Sequence, residues 1–166
     1  MDPGDANRLF VAALGHPYGP NAERGIYLST DGGESFRPVL RKDENVGGND
    51  VDIDPANPQV VYANLWESRQ GPWENAAWSG TGGGLFKSID GGAAWKQLAN
   101  GLPEGVNQVN LSIAPSNPQR LYATVASTGV GFYRSDDAGE SWTRITTDTR
   151  PVGRIARHHD ETFIPL

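Results

Sequence analysis

The sequence predicts an all-β protein built from repeated four-stranded sheets. Two repeated motifs and a turn-rich composition carry that expectation. The first motif is Ser-x-Asp-x-Gly-x-x-aromatic, found as Ser29-Thr30-Asp31-Gly32-Gly33-Glu34-Ser35-Phe36, Ser88-Ile89-Asp90-Gly91-Gly92-Ala93-Ala94-Trp95 and Ser135-Asp136-Asp137-Ala138-Gly139-Glu140-Ser141-Trp142. The second is a Pro and Asn turn entering a strand. Asp54-Pro55-Ala56-Asn57-Pro58-Gln59-Val60-Val61-Tyr62-Ala63 aligns without gaps with Ala114-Pro115-Ser116-Asn117-Pro118-Gln119-Arg120-Leu121-Tyr122-Ala123. The opening Asp2-Pro3-Gly4-Asp5-Ala6-Asn7-Arg8-Leu9-Phe10-Val11 is a third copy. The 166 residues include 21 Gly and 12 Pro, which suit many tight turns and disfavour long helices.

Each Ser-x-Asp motif lies between two apolar or aromatic runs, the pattern of a hairpin read three times. The Asp is expected to cap turn NH groups, Gly to supply positive φ, and the aromatic ring to pack back over the turn. That makes Asp31, Asp90 and Asp137 structural residues. Joined to the Pro and Asn turn, each repeat reads as four strands, A to D, the size of a propeller blade. The second blade has A at 49–54, B at 60–65, C at 84–88 and D at 95–98. The third has 109–114, 120–125, 131–135 and 142–145. The first blade begins at B, residues 9–14, with no strand A before it, whereas 152–157 stands where a further A strand belongs. The expected units are blade 1 over about 1–40, blade 2 over about 46–99, blade 3 over about 106–146 and a completing strand within about 150–166.

The Ser-x-Asp motif resembles the Asp-box, or BNR repeat, of sialidases, xyloglucanases and sortilin-type domains, which are β-propellers. His16-Pro17-Tyr18-Gly19-Pro20, Lys42-Asp43-Glu44-Asn45 and Leu65-Trp66-Glu67-Ser68-Arg69-Gln70-Gly71-Pro72-Trp73 further resemble large bacterial WD40/YVTN/BNR-like proteins, often labelled glycosyl hydrolases. The resemblance implies a piece of a longer, secreted or periplasmic protein. It also implies six blades, the number in sialidases. Three blades cannot close on themselves, so two chains are expected to exchange their C-terminal strands in a homodimer, with a trimer or an incomplete fragment as alternatives.

In the sialidase-like families the boxes lie opposite the active site, which places ligand contacts on the B–C and D–A loops. The B–C loops differ in length while the turns stay fixed, as when a scaffold carries a site. The longest, 66–83, holds Trp66, Glu67, Arg69, Trp73, Glu74 and Trp78; indole faces beside charges suit sugar stacking or peptide recognition, or else a loop core. His16, Tyr18 and Arg24 come from the first loop and Arg41 from the D–A segment. The expected function is a scaffold binding carbohydrate or peptide. The alternative is a hydrolase. A sialidase would draw on Arg24, Arg41 and Arg69, and a xyloglucanase on two facing carboxylates among Asp50, Asp52 and Asp54. A metal-dependent esterase or phosphoesterase would use His158, His159 and Asp160 around a divalent ion at the rim or chain junction.

No Cys is present, which excludes disulfides and thiolate metal sites. A net charge of -6 argues against a nucleic-acid partner. No transmembrane run and no signal peptide are visible, the N-terminus beginning directly in repeat sequence.

Overall fold

A computed structural model describes residues 1–70, 77–127, 130–146, 148 and 150. These form β-propeller blades from twelve strands: β1 (Leu9–Ala13), β2 (Gly25–Ser29), β3 (Arg37–Leu40), β4 (Val46–Ile53), β5 (Val61–Gln70), β6 (Ala77–Ser79), β7 (Gly84–Ser88), β8 (Lys96–Leu98), β9 (Val109–Ile113), β10 (Leu121–Val125), β11 (Gly131–Ser135) and β12 (Thr143–Thr146). The first sheet has the order β1-β2-β3, the second β4-β5-β7-β8 with β6 attached to β5, and the third β12-β11-β10-β9. All these pairings are antiparallel, and among the described residues the first sheet has no counterpart of the strand that β4 and β9 supply to the others. The C-terminal strand expected to complete it, and the metal candidates His158, His159 and Asp160, lie outside the described residues.

The three Ser-x-Asp turns are built alike. Ser29, Ser88 and Ser135 each donate to the motif Asp through Oγ, at 2.6, 2.8 and 2.7 Å. The same hydroxyls accept from the NH of Gly33, Gly92 and Gly139. Asp31, Asp90 and Asp137 accept from the NH four residues on, at 3.0, 2.9 and 2.9 Å. Left-handed backbone closes each turn, with Ala138 (φ 56) standing where the other two motifs have Gly32 and Gly91. The NH of Gly32, Gly91 and Ala138 then bonds the carbonyl of Asn7, Gln59 and Gln119, fastening each turn to the Pro and Asn turn of its own sheet. Trp95 and Trp142 fold back and donate through Nε1 to Gly92 and Gly139.

Between the sheets lie two cores. Phe10, Ile26 and Leu28 of the first sheet meet Val61, Ala63 and Leu65 of the second. Tyr62, Leu85 and Leu98 meet Leu121, Ala123, Val125, Tyr133 and Trp142 of the third. Strand alternation makes this possible: on β5 the odd-numbered Val61, Ala63 and Leu65 face backward and Tyr62 faces forward. Each fully buried aliphatic side chain of this kind stabilises by about 1.5–3 kcal/mol. Polar pins cross the same seams. Arg8 donates to the carbonyls of Pro58 (2.8 Å) and Gly91 (3.1 Å), while the Tyr62 hydroxyl and Lys87 Nζ both donate to the Ala138 carbonyl at 2.9 Å.

The structure revises two element boundaries. Strand β4 begins at Val46 rather than 49, with an irregularity in register between Gly48 and Asp50. The segment expected to be a long loop from Trp66 is instead a strand as far as Gln70, because β5 continues past its sheet and pairs with β6 through Ser68↔Ser79 and Arg69↔Trp78.

Candidate functional site

Two groups of chemically active side chains emerge, one along the inner strand β4 and one at the end of the blades that bears the B–C and D–A segments.

On β4, Asp50 and Asp52 face the third sheet while Val51 and Ile53 pack toward the first. Asp50 is held by backbone: its Oδ1 accepts from Val51 NH at 3.0 Å and its Oδ2 from Leu111 NH of β9 at 3.2 Å. Asn49 Nδ2 adds a bond to the Val109 carbonyl at 3.0 Å. Asp54 is buried and caps the following turn, accepting from Ala56 and Asn57. Asp52 is half-buried, and its carboxyl is pushed up to about 6, by burial first and by the charge of Asp50 second. A carboxyl in that range can hold a proton at mildly acidic pH and release it near neutrality, the behaviour of a general acid. It lies two residues before the Asp54 turn, toward the Ser-x-Asp end of the strand and away from the B–C and D–A end where the ligand contacts were expected.

At the opposite end, Arg24 organises the rim from beneath. Its side chain is fully buried, and its guanidinium donates to the carbonyls of Asn45 (3.3 Å), Ser68 (3.1 Å), His16 (2.9 Å) and Gly19 (3.3 Å). Burial, and then the neighbouring Arg69 cation, draw its pKa below the usual guanidinium value. Arg24 is thus a pin joining the first loop, the D–A segment and β5, and its polar atoms are directed into the protein. Above it, Arg69 bonds the Asn45 side chain, and Glu67 Oε2 accepts from Gly82 NH at 2.8 Å. Lys42 Nζ donates to the Gly82 carbonyl at 2.7 Å. Gly80 lies close against Glu67, where a Cβ would stand 2.1 Å from Glu67 Oε2 and require that carboxylate to shift. Trp66 is half-buried, and His16, Tyr18 and Arg41 are exposed. The rim therefore gathers Glu67, Arg69, Lys42 and Asn45. Trp73 lies outside the described residues, and so does the side chain of Trp78.

Sequence reasoning missed Asn64, which is fully buried. Its Nδ2 donates to the carbonyls of Gly84 and Asn107, and its Oδ1 accepts from Val109 NH at 3.1 Å, locking the second sheet to the approach to β9. Nothing in the local sequence distinguishes it from an exposed strand Asn. At the Ser-x-Asp end, a cleft of about 560 Å³ opens between the second and third sheets, lined by Asp54, Asn57, Lys87, Pro118, Gln119 and Glu140 among others. Among the described residues no group of three or more His, Cys, Asp or Glu is placed to hold a metal ion, and no helix is long and apolar enough to cross a membrane.

No protein-family model matches the chain. It is 35% identical over 138 residues, 78% of its length, to a xyloglucanase of Paenibacillus sp. It is 27% identical over 87% of its length to a probable oligoxyloglucan-reducing end-specific xyloglucanase of Neosartorya fischeri, and 28% over 95% to a xyloglucanase of Acetivibrio thermocellus. The chain spans only 12%, 17% and 20% of those relatives' own lengths. Among solved structures, an ancestral GH74 enzyme matches with TM-score 0.64 and 21% identity, over 90% of this chain and 18% of that one. The GH74 xyloglucanase from Xanthomonas campestris matches with TM-score 0.61 and 19% identity, over 89% and 23%. These likenesses show the fold, a set of β-propeller blades.

Proposed function

We propose that this chain supplies blades to a glycoside hydrolase propeller acting on xyloglucan, and that Asp52 is its proton-donating carboxyl. The observation that carries the reading is the 35% identity to a xyloglucanase across most of the chain. Glycoside hydrolysis uses one carboxyl that holds a proton for the leaving oxygen and a second, ionised, that serves as base or nucleophile. Asp52, with its raised pKa, has the character of the first, and Asp50 is the neighbouring carboxylate. The three Ser-x-Asp turns share their Ser, Asp and Gly hydrogen bonds, which further supports reading them as Asp-boxes.

A second reading, binding without turnover, is favoured by one observation: both Asp50 oxygens already accept backbone NH groups, which suits a positioning role. The two readings separate in one experiment. Wild-type chain and Asp52→Asn are incubated with xyloglucan while new reducing ends and retention on a xyloglucan-containing gel are both recorded. Turnover in the wild type that falls at least about a hundredfold in Asp52→Asn, with gel retention unchanged, supports the hydrolase. Retention without turnover by either protein supports the binding scaffold. Equal turnover by both removes Asp52 from the mechanism.

A further inference from the structure

The two seams inside the chain are built from the same repeats, and one side chain sets them apart. In the aligned Pro and Asn turns, Arg8 corresponds to Val60, Asp2 to Asp54 and Pro58 to Pro118; in the Ser-x-Asp motifs, Gly91 corresponds to Ala138. Across the first seam the Arg8 guanidinium joins its three partners. It pairs with Asp2 at 2.7 Å and donates to the carbonyls of Pro58 at 2.8 Å and Gly91 at 3.1 Å. Across the second seam the same position is Val60, which carries no donor. Asp54, Pro118 and Ala138, the counterparts of those three partners, all line the cleft of about 560 Å³ that opens there.

Lys87 supplies part of what Arg8 supplies. Its Nζ lies 5.8 Å from the centre of the Tyr62 ring, as the Arg8 guanidinium lies 5.1 Å from that of Phe10, and it donates to the Ala138 carbonyl. Glu140 answers that charge at 3.1 Å. Asp54 is different: it is 7% exposed, its carboxylate accepts from the NH of Ala56 and Asn57, and among the described residues no cationic side chain pairs with it. The Tyr62 hydroxyl feels the resulting field, its pKa raised by burial first and then by the charges of Asp54, Glu140 and Asp137. A second cleft of about 320 Å³ adjoins the first, sharing Lys87, Ile89 and Glu140 with it and adding Ala94, Trp95 and Lys96. Ile89 stands 72% exposed between the two, at a motif position that holds Thr30 and Asp136 in the other repeats. With Trp95 and Ala94 it forms an apolar surface beside the acidic cleft.

We propose that the second seam binds a peptide through an arginine followed by an apolar residue, the guanidinium lying between Asp54 and the Pro118 carbonyl as Arg8 lies between Asp2 and Pro58, and the apolar side chain resting on Ile89 and Trp95. Arginine suits the site better than lysine, because its planar fork serves a carboxylate and a carbonyl together. Val60 and Ile89 flank its methylene stem. Both walls of the site, the second sheet and the third, belong to this chain.

The test is titration of the whole chain with the peptide acetyl-Gly-Arg-Leu-Gly-amide, followed by calorimetry and by backbone amide NMR, with far-UV circular dichroism as a folding control. Saturable binding is expected, with shifts at Ala56 and Asn57. Lysine in place of the peptide's arginine should weaken binding at least about tenfold, and serine in place of its leucine about threefold. Asp54→Asn keeps an acceptor for the turn NH groups and should weaken binding at least about tenfold. Val60→Arg gives the second seam a guanidinium of its own; it should abolish binding while raising the melting temperature, a pair of changes that loss of folding cannot imitate. A wild type without saturable binding overturns the proposal, as do equal affinities for the arginine and lysine peptides or a Val60→Arg chain that binds as the wild type does. Acetyl-arginine amide bound as tightly as the peptide assigns the site to a small guanidinium compound and overturns the peptide reading.

Discussion

The Tyr62 hydroxyl donates to the carbonyl of Ala138 at 2.9 Å, so a strand of the second sheet is bonded directly to the turn of the third. That turn places Ala138 at φ 56, where the other two repeats have glycine. One relationship therefore joins a buried aromatic to a residue in an unfavourable backbone conformation. Replacing Tyr62 by Phe keeps the ring in its core and removes only the bond. The expected loss is about 1 kcal/mol, read as a lower midpoint in urea with unchanged slope.

Ala138→Gly should act in the opposite direction. A left-handed alanine costs about 1–2 kcal/mol, and the greater freedom of glycine in the unfolded chain returns part of that cost. A net gain of about 0.5 kcal/mol is expected, seen as a small rise in melting temperature. Unchanged or lower stability would mean that the methyl group contributes packing in the cleft beside Lys87.

Arg24→Met should destabilise the protein by about 3 kcal/mol, because four carbonyls lose their shared donor. Arg24→Lys should rescue little, since an ammonium group cannot span the fork that the planar guanidinium occupies. Equilibrium unfolding of the two variants beside the wild type checks this, and full rescue by Lys would contradict the role assigned to the rim pin.

The pH dependence of stability has two limbs. Asp31, Asp90 and Asp137 are held below the usual carboxylate range by bonds from Ser hydroxyls and turn NH groups. Their contribution is present above an unfolded pKa near 4 and is lost as pH falls below it. Asp52 has the opposite sign. Raised from 3.8 to about 6, it binds its proton more tightly in the folded chain, so its contribution is full below pH 4 and is lost as pH rises toward and through 6. Asp52→Asn should therefore match the wild type near pH 4 and exceed it by about 2 kcal/mol at pH 7, measured as unfolding midpoints at the two pH values.

The turns were legible in the sequence because each of their roles is served within a few residues: Ser29, Asp31 and Gly33 bond one another. The start of β5 was legible because the Pro and Asn turn before it repeats before β10. The rest depended on distant partners. Trp66 to Gln70 extend β5 only because β6 pairs with them, and no local pattern announces a three-residue partner. Arg24 was expected among the ligand contacts of the first loop, whereas its guanidinium is turned inward to carbonyls that include Ser68, 44 residues later. Among Asp50, Asp52 and Asp54 the sequence could not single out Asp52, whose carboxyl is pushed up by burial first and by the charge of Asp50 second.

The most direct measurement is the pH profile of reducing-end release from xyloglucan by the wild-type chain and by Asp52→Asn. Turnover by the wild type is expected to decline above about pH 6, as Asp52 gives up its proton, and the variant to be slowed at least about a hundredfold with that limb gone. Absence of turnover across the range, or a profile shared by the two proteins, would contradict this role of Asp52.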